Sequence, residues 1–597
     1  MDYHTNLKIL DDFNFVRDKR PKPRPFIMFQ FHMRKIMLVI LSLTVLFVIY
    51  QLSFSESLNV SPKDNHLANE YGKSLDVEAM PNDILANYKN TLTGQLSQNH
   101  WSASGHLWPA SGNSKLSRKG APSLFNGDKI VHLDLKGAPP KVSYFDEFFP
   151  LIKKLGATGL LIEYEDMFPY TSVDVSASNS YSRSEIKHIL NKAKENNLEI
   201  IPLVQTFGHL EFVLKLQQYE HLREVPRYPQ VICPSHNGTM PLLKGMIDDV
   251  MSLHPDVKYL HIGCDEVYNL AECNRCLDVL VKNNWSKQQL FLSHVNKVAR
   301  YVKEKYPGVK PLVWDDEFRK LSVAEITAFD LGSLVEPVVW KYTPTIDTYL
   351  EEAVWDKYAS VFGSVWIASA FKGATGPDKI ITDIEYHLEN HRSWMKLVAM
   401  HKDRLKFKGI MMTGWQRYDH FAVLCELLPV GLPSLAVNLG YLAQSEIELR
   451  TPPSAVQEIL KCGPGLLHPK MGAHCSFPGS IIYEKAHQLE NIMDQITQME
   501  ESSEAKGWLS QYNKRTGFSN PAHVEGATNE VDRFKMELQY LEQNLRKGMT
   551  DVFDPETIKE WIYTYITPVN QRLQAMWDVR EKLLSHTVWP RRPLEIH

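Results

Sequence analysis

The chain has no dominant charge, few cysteines and no low-complexity tract, and each shortage removes a class of function. Its 66 Lys and Arg against 70 Asp and Glu give a formal net charge of -4. Signs are mixed along the sequence, so no basic field offers itself to nucleic acid, and none is expected as a partner. The seven cysteines are Cys233, Cys264, Cys273, Cys276, Cys425, Cys462 and Cys475. Their odd number leaves at least one thiol free in an oxidising compartment, and no pairing can be assigned from spacing. Cys273-Asn-Arg-Cys276 is a lone CxxC without a second pair at metal spacing, which favours a disulfide or two plain thiols over zinc. No His-x-His cluster stands at a strand end, so metal hydrolysis is the weakest enzymatic reading; neither a metal nor a cofactor is expected.

Long apolar runs are lacking too, with one exception. Ile36 to Phe54 reads IMLVILSLTVLFVIYQLSF, about the length that spans a bilayer core. Arg17, Lys19, Arg20, Lys22, Arg24, Arg34 and Lys35 precede it, whereas Ser55, Glu56 and Asn59 follow. The expectation is therefore an uncleaved transmembrane signal anchor (36–54) between a cytoplasmic basic tail (1–35) and a lumenal body, a single-pass type II topology with the membrane as a partner. A cleaved signal peptide is the competing reading; the long head and the want of an obvious small-x-small cleavage site oppose it. The sequons Asn59-Val-Ser, Asn237-Gly-Thr and Asn284-Trp-Ser fit a lumenal glycoprotein.

Residues 55–124 are polar and broken by Asn, Ser, Gly and Pro, as a stem would be. From Lys129 short apolar runs alternate with amphipathic stretches. The runs are Ile130–Leu135, Gly159–Tyr164, Glu199–Gln205, Tyr259–Gly263, Pro311–Trp314, Leu334–Trp340, Val365–Ala370 and Gly409–Thr413. Between them Phe145–Leu155, Ser182–Asn196, Gln288–Lys305 and Ile381–His401 carry an apolar stripe and a charged face, and a last helix is expected near Val423–Leu442. Eight such βα units predict an α/β fold, a (β/α)8 TIM barrel over 125–452. After it, 453–597 reads as a C-terminal helical bundle, with apolar periodicity over Ile481–Met499, Val531–Leu545 and Pro555–Leu584.

Barrel chemistry sits at the carboxyl ends of strands. In strand order these ends offer Asp134 and Lys136; Glu163, Glu165 and Asp166; Gln205 and His209; Asp265 and Glu266; Trp314, Asp315 and Asp316; Trp340; Phe371 and Lys372; and Trp415, Gln416, Arg417, Tyr418 and Asp419. Carboxylates can protonate a glycosidic oxygen and offset oxocarbenium charge, while tryptophan faces pack on the C–H faces of a pyranose. Either feature alone is common in solvated or core positions, and their coincidence at one barrel mouth points to a sugar. Adjacent strand residues face opposite ways, so Asp265 and Glu266 can serve one site only if the chain turns there.

His261-Ile-Gly-Cys-Asp265-Glu266 resembles the fourth-strand His-x-Gly-x-Asp-Glu signature of the family 20 β-N-acetylhexosaminidases. Val131-His-Leu-Asp-Leu-Lys-Gly, Leu161-Ile-Glu-Tyr-Glu-Asp, Gln205-Thr-Phe-Gly-His209, Leu312-Val-Trp-Asp-Asp and Gly414-Trp-Gln-Arg-Tyr-Asp look close to the hexosaminidase D-like branch. The basic, anchored N-terminus predicts a membrane-bound relative. The resemblance implies an exo-glycosidase removing terminal β-linked GlcNAc or GalNAc by substrate-assisted retention, with β-N-acetylhexosaminide glycans as partners. Glu266 would be the general acid, Asp265 the group orienting the acetamide, and His209 their support. Trp314, Trp340 and Trp415 would wall the acetamido pocket, with Asp134, Lys136, Arg417 and Tyr418 as further substrate-binding residues. By analogy with other anchored glycan enzymes the location would be Golgi or a related secretory compartment. Association into a homodimer is left open.

The chain also departs from the family pattern. Lys136 stands where an arginine usually grips the sugar hydroxyls, and a point charge replaces a bidentate fork. The usual seventh-strand tyrosine is not evident beside Trp366 and Phe371, leaving Tyr418 or Tyr164 to supply a hydroxyl. Gln416 and Arg417 replace the usual glutamate, and the stem has no room for the family's α/β domain ahead of the barrel. Two rival readings follow: a retaining glycosidase with Glu163, Glu165 or Asp316 as nucleophile, and a membrane-anchored glycan-binding barrel that has lost turnover.

Overall fold

The structure, a computed structural model, describes residues 123–448, 454–463 and 474–595. Eight parallel strands close a barrel: β1 (Asp128–Asp134), β2 (Gly159–Glu163), β3 (Glu199–Leu203), β6 (Tyr259–His261), β7 (Lys310–Trp314), β8 (Glu336–Trp340), β9 (Val365–Lys372) and β10 (Phe407–Gly414). β1 closes the ring by pairing with both β2, in the register Ile130 to Gly159, and β10, in the register Asp128 to Gly409. All eight apolar runs became strands, because strands covered on both faces can be apolar throughout. In β9 every residue is buried.

One face of each strand fills the barrel with Ile130, Leu161, Leu203, Leu312, Val338 and Met411, and Trp314 and Trp415 lie toward its mouth. The other face meets the surrounding helices. Arg183–Glu195 and Lys287–Lys305 each begin on a capping box, Ser182 with Glu185 and Ser286 with Gln289, which satisfies otherwise orphaned N–H groups at the helix start. Leu428–Leu442, the last barrel helix, is buried along its entire length. It is apolar all round because it packs against the barrel on one side and the C-terminal helix Ser480–Glu501 on another.

That C-terminal region continues through Val531–Thr550, Pro555–Tyr565 and Thr567–Leu584. The expected single stretch Pro555–Leu584 breaks at Ile566, where Pro568 opens a new helix. A hydrogen bond from Lys141 N to the Val552 carbonyl (2.7 Å) and one from the Tyr565 hydroxyl to the Leu424 carbonyl dock these helices on the barrel. Cys462 and Cys475 form a disulfide. The periodicity gave no sign of the antiparallel hairpin β4 (Arg223–Val225) and β5 (Tyr228–Ile232), inserted after β3.

The N-terminal transmembrane helix is a correction. Among the described residues no helix is long and apolar enough to cross a membrane, and 36–54, together with the basic tail and the stem to residue 122, lies outside them. The membrane-bound identity, type II topology, membrane partner and secretory or Golgi-type location expected from that run are withdrawn with it. A run of apolar residues carries length and hydropathy alone, and neither establishes a spanning helix.

Candidate active site

β6 ends at His261, and the chain then leaves extended geometry. Gly263, Cys264 and Glu266 all take left-handed φ values of 67°, 71° and 48°. This turn lets adjacent Asp265 and Glu266 both approach His209, at a strain cost of about 1–3 kcal/mol for each non-glycine residue so placed. Glycine suits position 263 by its left-handed φ, and a Cβ there would also displace the Gln205 side chain, whose Oε1 would lie 1.8 Å away. The turn is pinned from its own strand, where Gly263 N donates to His261 Nδ1 (3.0 Å), and from neighbouring segments, where Thr206 Oγ1 donates to the Ile262 carbonyl (2.7 Å) and Trp314 N to the Gly263 carbonyl (3.1 Å).

His209, also left-handed at φ 51°, comes from the loop after β3. Its Nε2 lies 3.1 Å from Glu266 Oε2 and 3.7 Å from Asp265 Oδ2. Burial opposes a charged imidazole, yet Asp265, Glu266 and Glu211 outweigh it and raise His209 well above its usual pKa. For Asp265 burial dominates, with Asp316 and Glu266 adding repulsion, and its carboxyl is pushed up to about 8. Glu266 goes the other way: burial raises it, but hydrogen bonds from His209 and Tyr268 bring it below the ordinary carboxylate value. Asp265 Oδ1 is buried with no hydrogen-bond partner among the described residues.

β7 contributes two acids with different duties. Asp315 is fully buried and accepts from Arg319 and the Tyr358 hydroxyl, which makes it part of the wall. Asp316 Oδ2 instead accepts from Glu266 N (2.9 Å), and its Oδ1 from Trp340 Nε1 (3.2 Å), so it positions both the acid and an aromatic wall.

Aromatic rings cluster beside the acids. Trp314 and Trp415 lie 6.2 Å apart, and Tyr342 packs on Trp340 at 5.2 Å and on Trp415 at 6.4 Å. The three expected tryptophans therefore share one cluster, which Tyr342 completes. Burial raises the Tyr342 phenol far above its ordinary value, and the fields of Asp265 and Glu266 add to the shift.

On the opposite flank Lys136 is buried, 3.2 Å from Asp134 Oδ2, 3.3 Å from Glu165 Oε1 and 3.6 Å from Glu163 Oε1. Burial works against its charge, but the three carboxylates raise its pKa well above 10.5. Asp134 also accepts from Gln416 N (2.8 Å), joining the ends of β1 and β10. Burial pushes Glu163 up, but Lys136 and His132 overcome this and lower it to about 2.

A family profile described as glycosyl hydrolase family 20, catalytic domain, matches residues 113–357. Human hexosaminidase D is 42% identical over 475 residues, 78% of this chain and 96% of that protein. This chain belongs to glycosyl hydrolase family 20. The bovine hexosaminidase D is 50% identical over 322 residues, 53% of this chain and 92% of its own length. The profile match ends ahead of β9 and β10, the two strands that carry the departures at Phe371, Gln416 and Arg417.

Several expected contributors to this family 20 site have other engagements. Arg417 donates to the Lys136 carbonyl (3.0 Å), the Ala422 carbonyl (2.8 Å) and both carboxylate oxygens of Glu560 (2.5 and 2.6 Å), holding a C-terminal helix to the barrel. The Tyr164 hydroxyl is 3.0 Å from His254 Nε2. Tyr418 is half-buried near Cys425 and Glu426, and Phe371 is fully buried. Sequence reasoning missed Tyr342 as a candidate site residue; the signal was its place two residues after Trp340, whose ring it packs on.

Proposed function

We infer that this family 20 hydrolase removes terminal, non-reducing β-linked N-acetylhexosamine (GlcNAc or GalNAc) from glycoconjugates with retention, the substrate's own 2-acetamido oxygen being the nucleophile. One observation carries the reading. Asp265 Oδ1 is a buried acceptor without a donor among the described residues, next to the acid Glu266 and beside an aromatic cluster. A buried acceptor left unsatisfied costs about 1–3 kcal/mol, and an acetamide N–H would satisfy it.

The charges support a proton relay between the two carboxylates. In the free protein the favoured arrangement is a charged His209, an ionised Glu266 and a protonated Asp265. An acetamide N–H docking on Asp265 favours its ionised form, and the released proton belongs on Glu266, leaving the total unchanged. Glu266 then protonates the leaving oxygen while Asp265 holds the acetamide carbonyl under the anomeric carbon and offsets the positive charge of the oxazolinium. Water opens that ring with Glu266 as base. His209 and Asp316 position the acid, Trp314, Trp340 and Trp415 wall the acetamido group, and Tyr342 supplies the hydroxyl that β9 lacks. Asp134 and Lys136 remain for the sugar hydroxyls, whereas Arg417 is assigned to holding the fold.

Of the rival nucleophiles, Glu163 and Glu165 are engaged by Lys136, and Asp316 already accepts from Glu266 N and Trp340. The deciding experiment assays aryl β-N-acetylglucosaminide and galactosaminide side by side with Glu266→Gln. Turnover should fall about 100- to 10,000-fold in the variant. Thiazoline mimics of the oxazoline should inhibit the parent. Normal turnover by Glu266→Gln, or undiminished cleavage of a substrate without its acetamido group, refutes the mechanism.

A further inference from the structure

Outside the active site, four metal-ligating side chains converge from three places in the sequence. Cys233 Sγ lies 3.5 Å from Cys273 Sγ and 3.6 Å from Cys276 Sγ. Glu224 Oε2 lies 3.2 Å from Cys273 Sγ and 3.1 Å from Cys276 Sγ. All four ligand atoms fall within 4.8 Å of one another, and Glu224, Cys233 and Cys276 are buried. We propose that Glu224, Cys233, Cys273 and Cys276 bind a zinc ion in a closed, tetrahedral structural site.

The dimensions fit. Zinc bonds of about 2.3 Å to sulfur and about 2.0 Å to oxygen place tetrahedral sulfurs about 3.8 Å apart, with sulfur about 3.5 Å from oxygen. The observed separations are a few tenths of an ångström tighter and far from the ~2.05 Å of a disulfide. The ligands are also oriented as a metal site requires. Glu224 Oε1 accepts from Glu272 N (2.8 Å) and Cys273 N (3.0 Å), leaving Oε2 for the ion. Cys276 N donates to Cys273 Sγ at the start of helix Asn274–Asn283. A divalent ion would offset the repulsion of a buried carboxylate among thiolates. The other acidic cluster, Glu165, Asp166 and His420, carries no such proposal, because Lys136 and Lys215 already supply its cations.

The ion would join the β4–β5 hairpin to the loop after the catalytic turn. That hairpin touches the active site, since Gln230 Nε2 donates to the Glu266 carbonyl (3.1 Å) and Ile232 N to the Phe207 carbonyl (3.2 Å). Zinc would therefore staple together the segments that carry His209, Asp265 and Glu266.

The test is elemental analysis of the full chain purified without chelator, with thiols titrated after denaturation in EDTA. The expected result is about one zinc per chain and five titratable thiols, the seven cysteines less the Cys462–Cys475 pair. Cobalt substitution should add thiolate charge-transfer absorption and intense visible bands. Cys273→Ser and Glu224→Gln should each lower zinc occupancy several-fold, and the cobalt spectrum of the parent stands even if a variant does not fold. Five thiols without metal, three thiols without metal, or undiminished zinc in Cys273→Ser overturns the proposal.

Discussion

Replacing His209 with asparagine deletes the cation closest to both acids while keeping a residue that tolerates the left-handed backbone there (φ 51°). The imidazolium lies 3.7 Å from Asp265 and 3.1 Å from Glu266. At 3.7 Å and an effective dielectric of about 20, its attraction for one carboxylate is about 4.5 kcal/mol, or about 3 pK units. Residual solvent access screens part of this, leaving about 1 to 3 units. A neighbouring cation favours ionised carboxylates, so losing it raises the pKa of the pair. The alkaline limb of kcat/KM, expected near 8 in the parent from the Asp265–Glu266 pair, should move upward in His209→Asn. The shorter side chain also forfeits the charge-assisted hydrogen bond to Glu266, about 1.5–3 kcal/mol, so kcat should fall about 10- to 150-fold at the new optimum. Initial rates on an aryl glycoside from pH 4 to 10, with melting temperature as a check on folding, measure both. An alkaline limb that stays in place or moves down would refute the argument, because His209 would then be neutral in the free enzyme.

Three further outcomes are expected. A Cβ at Gly208 would sit 2.2 Å from the Asp265 carbonyl oxygen, so Gly208→Ala should cost about 1–3 kcal/mol of stability in a thermal melt and lower kcat further; an unchanged melt contradicts this close approach. Arg417→Met should lower stability by about 1–2 kcal/mol with little change in KM, since its donors hold Lys136, Ala422 and Glu560; a raised KM with an unchanged melt would return Arg417 to the sugar site. Tyr342→Phe should reduce kcat/KM about 10- to 100-fold without loss of stability if its hydroxyl donates to the acetamide carbonyl, and full activity would exclude it from that role.

Much of the barrel was legible in the sequence, because strands buried on both faces leave short apolar runs and the helices between them leave a 3.6-residue stripe. The hairpin β4–β5 was not, since Arg223–Val225 and Tyr228–Ile232 are too short to establish alternation. The membrane anchor was read from composition alone: 36–54 lies outside the described residues, and among those no helix is long and apolar enough to cross a membrane. In the site, the Asp265–Glu266 pair was visible through its strand-end position. Tyr342 was harder to see, because its spacing from Trp340 was the one local signal and its contact with Trp415 is made only in the fold.

By itself the sequence determined the βα alternation, the presence of acids and tryptophans at the strand ends, and the family. Only the tertiary structure decided what each of those residues has as its neighbours. Arg417 and Lys136 are both cations near the barrel mouth, yet one grips a C-terminal helix and the other sits among three carboxylates. Cys233 and the CxxC pair are 40 residues apart in the chain and 3.5 Å apart in space. The Asp265–Glu266 pair has its opposing pKa shifts from burial and from His209, 57 residues upstream of Glu266. Local sequence sets backbone preference, whereas charge, desolvation and ligand geometry depend on which distant segments the fold brings within a few ångströms.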